Sequence, residues 1–346
     1  MRVQNRQRIF KILSTFVGLL LMGSLGFHQP LAATTQAQEP PVKVIFDSDL
    51  GIDEDDCGAL AVLHKLADYG EVEIIAMGSS SNGNGSDSQG VLGAQCMDAI
   101  NTFYGRPDIL IGRGPDDAPT KPNDYLNTEH CLNMDKFPRD LVGVPPTAVE
   151  VYRRALSEQS PDDNVKLITV GFLGNVRDLL QSEPDQYSPL NGKELVSLMV
   201  DEWVAMGGQY PAGREYNFDQ HPSATDYAVE NWPGRIVFSG GEIGDGIITG
   251  GGHGPILDCY NSATGSRPSW DQTAVLAAVR DPSLYWGMVT IGYNEVKTSG
   301  FNGWRSSPDL DHNYLIQDAS DSFMTELIQG LMDELPSLDT TPTPAP

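Results

Sequence analysis

The chain has 346 residues, with 22 Lys+Arg against 47 Asp+Glu for a formal charge of −25, 40% hydrophobic residues and four cysteines. So acidic a chain repels phosphate backbones and anionic membranes, which excludes a general nucleic-acid binder and a membrane-surface protein. The hydrophobic fraction supports a buried core rather than intrinsic disorder, and with no C-x-x-C pair neither a zinc ribbon nor a dithiol redox motif is present.

Arg2, Arg6, Arg8 and Lys11 precede an apolar run from Phe16 to Phe27 and then Leu31-Ala32-Ala33. This is the layout of a signal peptide, and the run is too short and too broken by Gly18, Gly23 and Gly26 to span a bilayer. Residues 1–33 are therefore expected to be a leader cut between Ala33 and Gln38, giving a periplasmic or extracellular protein with no membrane association after cleavage. Val42–Phe46 reads as a strand, Cys57–Ala67 as a helix, Val72–Met77 as a strand, Val91–Tyr104 as a helix and Asp108–Ile111 as a strand. Further on, Thr147–Gln159 reads as a helix, Val165–Val170 as a strand, Val176–Gln181 as a helix, and Trp203–Met206 and Arg235–Ser239 as strands. This alternation predicts an α/β fold, a mainly parallel central sheet flanked by helices in a Rossmann-like single domain over residues 42–335. The Pro/Thr-rich residues 336–346 are expected to be a disordered tail. In such sheets ligands bind beyond the carboxyl ends of the strands.

Directly after the first strand, Asp47-Ser48-Asp49-Leu50-Gly51-Ile52-Asp53-Glu54-Asp55-Asp56 carries six carboxylates in ten residues. Gly51 permits a tight turn that folds the acids toward one point, where their repulsion would need a cation. Hard oxygen ligands at this density favour Ca²⁺ or Mg²⁺ over zinc. An EF-hand fails, because counting from Asp47 puts Ile52 at the turn-glycine position and Gly58 at the bidentate-Glu position. A haloacid-type phosphatase would need Thr or Val where Gly51 stands. The Gly-rich stretch 239–254 lacks the Lys-Ser/Thr of a phosphate-binding P-loop.

The carboxylate run resembles the N-terminal fingerprint of the inosine–uridine-preferring nucleoside hydrolases, in a form with two extra residues before the paired aspartates. Gly171-Phe172-Leu173-Gly174-Asn175, Met206-Gly207-Gly208, Glu215-Tyr216-Asn217 and Asp271 resemble that family's later landmarks, in the expected order. The resemblance implies a calcium-dependent hydrolase of the N-glycosidic bond of ribonucleosides, giving ribose and free base. It implies Asp49 as general base and metal ligand, Asp56 and Asp271 as further Ca²⁺ ligands, and the Val170 carbonyl as another. Asp55, Glu215 and Asn217 would meet ribose hydroxyls, Glu215 and Asn217 pointing the same way if their backbone is extended. Met206 would pack near the sugar, and Asn82, with Asn84 as its alternative, would contact ribose. A homo-oligomer is expected by analogy with the family's dimers and tetramers.

One departure matters for the chemistry. Trp270 stands where the inosine–uridine members have the histidine that protonates the leaving base. An indole there can stack on a purine, which implies that purines are favoured; packing at a helix start is the plainer alternative, as an ordinary N-cap is for Asp271. His253 and His312 are candidates for a replacement acid, with surface positions the plainer alternative. Without leaving-group activation, the rival readings are a non-catalytic calcium-dependent ribose or nucleoside binder, or a hydrolase of another ribosyl compound. Cys57 and Cys96 fall in predicted helices and are expected to be small buried residues. Cys131 and Cys259 fall in predicted loops, where export would allow a disulfide between them.

Overall fold

The computed structural model describes residues 40–51, 53–120, 131–308 and 310–337; the expected leader and the tail beyond Ser337 lie outside them. In chain order the strands are β1 (Val42–Ser48), β2 (Val72–Ser79), β3 (Leu110–Gly112), β4 (Val165–Thr169), β5 (Glu202–Met206), β6 (Ala212–Arg214), β7 (Arg235–Ser239), β8 (Ile248–Thr249), β9 (Arg267–Pro268), β10 (Trp286–Val289), β11 (Tyr293–Val296), β12 (Phe301–Arg305) and β13 (His312–Gln317). Eight of them form the central sheet in the order β10-β13-β7-β5-β4-β1-β2-β3. All its pairings are parallel except β10 with β13.

Side-chain alternation along the strands explains the layering. In β1, Val44 and Phe46 enter the apolar layer on one face and Ile45 the layer on the other; in β5, Val204 and Met206 go one way, Trp203 and Ala205 the other. A strand buried on both faces has to read as a continuous apolar run, which is what made these strands visible in the sequence. Helices Asp55–Asp68, Gln89–Phe103, Trp270–Val279 and Asp321–Asp333 cover the first face. Helices Ala148–Ser157, Gly174–Gln181, Gly192–Met199 and Pro222–Asn231 cover the second. Each fully buried Phe, Ile or Val contributes on the order of 1.5–3 kcal/mol by leaving water.

The sheet order places the site. From β1 the chain moves outward to β2 and β3, then returns to pair β4 on the other side of β1 and moves outward again through β5 and β7. The crevice between the ends of β1 and β4 is thus a topological switch point, where loops diverge to opposite faces and leave room for a ligand.

The C-terminal third departs from the expectation of simple alternation. β13 enters the central sheet beside β7, β10 adds an antiparallel edge, and β6, β11 and β12 form a separate antiparallel sheet. These strands are short and rich in Asn and Gly, as in Tyr293–Val296 and Phe301–Arg305, so their pattern is weak. Among the described residues no helix is long and apolar enough to cross a membrane.

The cysteine expectation needs correction. Cys57 and Cys96 are buried as expected, but the disulfides are Cys57–Cys259 and Cys96–Cys131, so Cys131 does not pair with Cys259, and Cys259 lies in helix Pro255–Asn261 rather than a loop. The first bond joins two packed helices, Asp55–Asp68 and Pro255–Asn261. Spacing alone cannot choose among the three pairings four cysteines allow. Both bonds are compatible with export to an oxidising compartment. Replacing Cys57 and Cys259 together by Ser is expected to cost about 2–5 kcal/mol, read from denaturant unfolding. Non-reducing peptide mapping should recover both pairings; a Cys131–Cys259 peptide would contradict the structure.

Candidate functional site

At the end of β1 the chain turns sharply. Gly51 has φ 111°, a conformation that side-chain-bearing residues rarely adopt, and the Leu50 N–H donates to Ser48 Oγ at 3.0 Å. Helix Asp55–Asp68 then starts, with Asp55 and Asp56 in its first turn, where the helix N-terminus favours negative charge. Ser48 Oγ donates to Asp56 Oδ1 at 2.5 Å, tying the end of the strand to the start of the helix. From β4, Gly171 closes on the same point: a Cβ there would lie 2.5 Å from the Asp49 nitrogen and 2.7 Å from its Oδ1. A glycine is therefore required for Asp49 to sit where it does.

The six carboxylates separate into distinct roles. Asp47 turns away from the others; it accepts hydrogen bonds from Tyr152 Oη at 2.5 Å and Asn175 Nδ2 at 2.7 Å, and full burial pushes its pKa up to about 7. Glu54 accepts from the Thr264 N–H at 3.2 Å and lies 3.7 Å from Arg267. Asp49, Asp53 and Asp55 line a cavity of about 490 Å³, together with Val170, Met206, Gln209, Glu215, Tyr216, Asn217, Asp245, Arg267, Trp270 and Asp271. Asp56 is buried outside that lining, and one carboxylate oxygen from each of Asp53, Asp55 and Asp56 lies within 4.8 Å of the others.

Electrostatics makes this cluster costly when empty of counter-charge. Burial, then the Asp56 and Asp53 carboxylates, hold the Asp49 pKa well above the usual range. Burial with Asp271 and Asp53 does the same for Asp55. Asp56 is raised by burial and Asp53, against lowering by Ser48 and Arg267. Burial followed by Asp56, Asp53 and Asp49 raises Asp271. Asp49 Oδ2 is buried with no hydrogen-bond partner. The grouped oxygens of Asp53, Asp55 and Asp56 and the orphaned Asp49 oxygen have the all-oxygen chemistry that fits a hard divalent cation, while the Val170 carbonyl accepts from Asn217.

The expected sugar-binding residues divide. Glu215 and Asn217 both line the cavity, but not from an extended segment: Glu215 caps helix Tyr216–Gln220, and Asn217 lies in its first turn. Glu215 accepts from the N–H groups of Asn217 at 2.8 Å, Gly208 at 3.0 Å and Phe218 at 3.2 Å, yet burial pushes its pKa up to about 7. Asn217 Nδ2 donates to the Val170 carbonyl at 3.1 Å and contacts Met206 Sδ at 3.2 Å, linking β4 and β5 beneath the cavity. Asn82 and Asn84 are not part of the lining. The Asn82 amide is spent on the Asp116 carbonyl at 2.5 Å and the Ala118 carbonyl at 3.1 Å, and its Oδ1 accepts the Asn84 N–H.

Asp271 is not a helix cap: the helix starts at Trp270 with Ser269 as N-cap, and Asp271 is buried in the first turn. Trp270 is half-buried at the cavity wall, its Nε1–H donating to Asp245 Oδ1 at 2.8 Å. The Arg267 guanidinium lies 5.3 Å from its ring centroid and pairs with Asp53 at 2.7 Å. His253 instead contacts the Asp333 carbonyl, and His312 lies in β13 accepting the Asn294 N–H; neither lines the cavity. Asp53, Arg267, Asp245 and Gln209 are lining residues that sequence reading missed. Asp53 lay within the carboxylate run, whereas nothing local marked the others.

No protein-family model matches the chain, and no curated protein matches its sequence. Solved structures do resemble it. A plant nucleoside hydrolase, the PpNRh1 enzyme, superposes with TM-score 0.61 at 16% identity over 85% of this chain and 99% of that one. An inosine-guanosine nucleoside hydrolase gives 0.63 at 17% identity over 84% and 98%. The type III effector protein XopQ, complexed with adenosine diphosphate ribose, gives 0.64 at 12% over 85% and 94%. The chain has the nucleoside-hydrolase fold.

Because folding raises these carboxyl pKa values, their contribution to the stability of the metal-free protein is fully present below the ordinary carboxylate pKa of about 4. That stability is lost as pH rises through the raised values, about 7 for Asp47 and Glu215. Chelated protein should therefore melt at a lower temperature at pH 8 than at pH 5. Ca²⁺ at about a hundred times its Kd should restore ~2.7 kcal/mol, roughly 5 °C in Tm. Scanning calorimetry with no Ca²⁺-induced rise at pH 8 would contradict a cation site here.

Proposed function

We propose that the protein is an exported, calcium-dependent hydrolase of the N-glycosidic bond of ribonucleosides, with purines favoured. The observation that carries this reading is the convergence of Asp49, with its orphaned buried oxygen, on Asp271, Val170, Glu215 and Asn217 around one cavity at the switch point of this fold. Asp49, Asp56, Asp271 and the Val170 carbonyl would hold the ion; of these, Asp56 belongs to the trio Asp53, Asp55 and Asp56 whose carboxylate oxygens lie within 4.8 Å of one another. Bound there, Ca²⁺ supplies positive charge that makes a nearby water more acidic and orients vicinal hydroxyls.

Asp49 takes the proton of the water that attacks C1′, having a buried carboxylate oxygen with no partner in the protein. Asp55 accepts a hydrogen bond from a ribose hydroxyl, and Glu215 and Asn217 take the remaining hydroxyls at the Met206 side of the cavity. Trp270 offers its indole face to the leaving base. That no histidine lines the cavity among the described residues favours one alternative, a protein that binds nucleosides without cleaving them.

Asp49→Asn should lower ribose release by about 10²–10⁴-fold while circular dichroism stays unchanged, since an amide cannot accept the proton. Trp270→Ala should lower purine turnover by roughly one to two powers of ten with little effect on uridine. Retained turnover in Asp49→Asn would remove it as the base, and uridine as the preferred substrate would remove the stacking role.

A further inference from the structure

The cavity lining also includes Trp270, Arg267, Asp245 and Gln209. Asp245 accepts the indole N–H of Trp270. One flat cation is already held here: the Arg267 guanidinium, over the indole and paired with Asp53. Aromatic faces and carboxylates together solvate planar positive charge. The charge balance points the same way. Six carboxylates line the cavity, from Asp49, Asp53, Asp55, Glu215, Asp245 and Asp271, and Arg267 is the one cation among the described lining residues. A dication would offset two of the six, leaving a wall that attracts cations and repels phosphorylated ligands.

We propose that the preferred substrates are ribonucleosides whose base carries a fixed positive charge, an N-ribosylpyridinium or N7-alkylpurinium; this deepens, and rests on, the hydrolase reading above. The chemistry needs no acid at the leaving group. The water oxygen bonds to C1′, the C1′–N bond breaks, and its electron pair neutralises the ring, which departs uncharged. The proton of the water passes to Asp49 and on to solvent. A neutral nucleoside, by contrast, must have its base protonated or release an anion into a negatively charged cavity. That no histidine is among the described lining residues, and that Asp245 is one of them, thus have one common explanation.

The test compares steady-state kinetics of 7-methylguanosine, nicotinamide riboside, guanosine and 7-methylguanosine 5′-monophosphate on the full, Ca²⁺-replete protein. KM separates recognition from the greater intrinsic lability of the cationic substrates. KM for 7-methylguanosine or nicotinamide riboside should be at least about tenfold below that for guanosine, and the 5′-phosphate should reverse the gain. Asp245→Asn keeps an acceptor for Trp270 but removes the charge, and should raise KM for the cationic substrates about fivefold relative to guanosine. Equal KM values for guanosine and its methylated form, with ribose released from both, would overturn this proposal and leave the hydrolase reading standing. No N-glycosidic cleavage of any of the four, read as free ribose or ribose 5-phosphate, would overturn both.

Discussion

Repulsion among buried carboxylates is the constraint around which this structure is arranged. Three carboxylate oxygens within 4.8 Å of one another repel by about 3–4 kcal/mol per pair at an effective dielectric near 20, on the order of 10 kcal/mol in all. That equals the whole net stability of a typical domain, about 5–15 kcal/mol. Ser48 on Asp56 and Arg267 on Asp53 relieve part of it. The remainder demands protons or a cation. A fold that keeps such a cluster bears this cost for a function, and proton uptake at neutral pH would disable the groups that chemistry needs. A divalent ion is the counter-charge that leaves the carboxylates ionised.

The surroundings hold the cluster rigidly. The bonds of Asp47 to Tyr152 and Asn175 anchor β1 to the helices on the second face of the sheet. Cys57, next to Asp56, is bonded to Cys259, so the start of helix Asp55–Asp68 is held covalently to helix Pro255–Asn261. Gly171 lets β4 close on Asp49. Arg267 then links two parts of the cavity, since one guanidinium both pairs with the carboxylate run and lies on the Trp270 ring. The position of the aromatic wall is thereby coupled to the charge of the cluster.

Legibility in the sequence followed the strength of local pattern. β1, β4, β5 and β7 are apolar runs buried on both faces, and Asp49, Val170, Met206, Glu215 and Asp271 stand at or just beyond strand ends or in the first turn of a helix. Those positions fall around the cavity because a parallel sheet opens its crevice beyond its strand ends. Asn82 was misjudged because the polar stretch Ser79–Ser88 has no register, and its amide satisfies loop carbonyls instead. The extended reading of Glu215–Asn217 failed because Glu215 is itself the cap that starts a helix. Arg267 and Asp245 reach the cavity only through tertiary packing around β9 and the short helix Gly241–Gly244, for which a single sequence carries no periodic signal. The disulfide pairing, which joins positions 202 residues apart for Cys57 and Cys259, was out of reach for the same reason.

The central claim is that the carboxylate loop after β1 serves hydrolysis of an N-ribosyl bond through a bound divalent ion. Its most direct test is to assay free ribose from a panel of nucleosides with the mature protein first stripped by chelator and then resupplied with Ca²⁺. Ribose release that vanishes on stripping and returns with Ca²⁺ is the predicted result. Release that persists undiminished in chelator, or no release from any nucleoside with Ca²⁺ present, would contradict it.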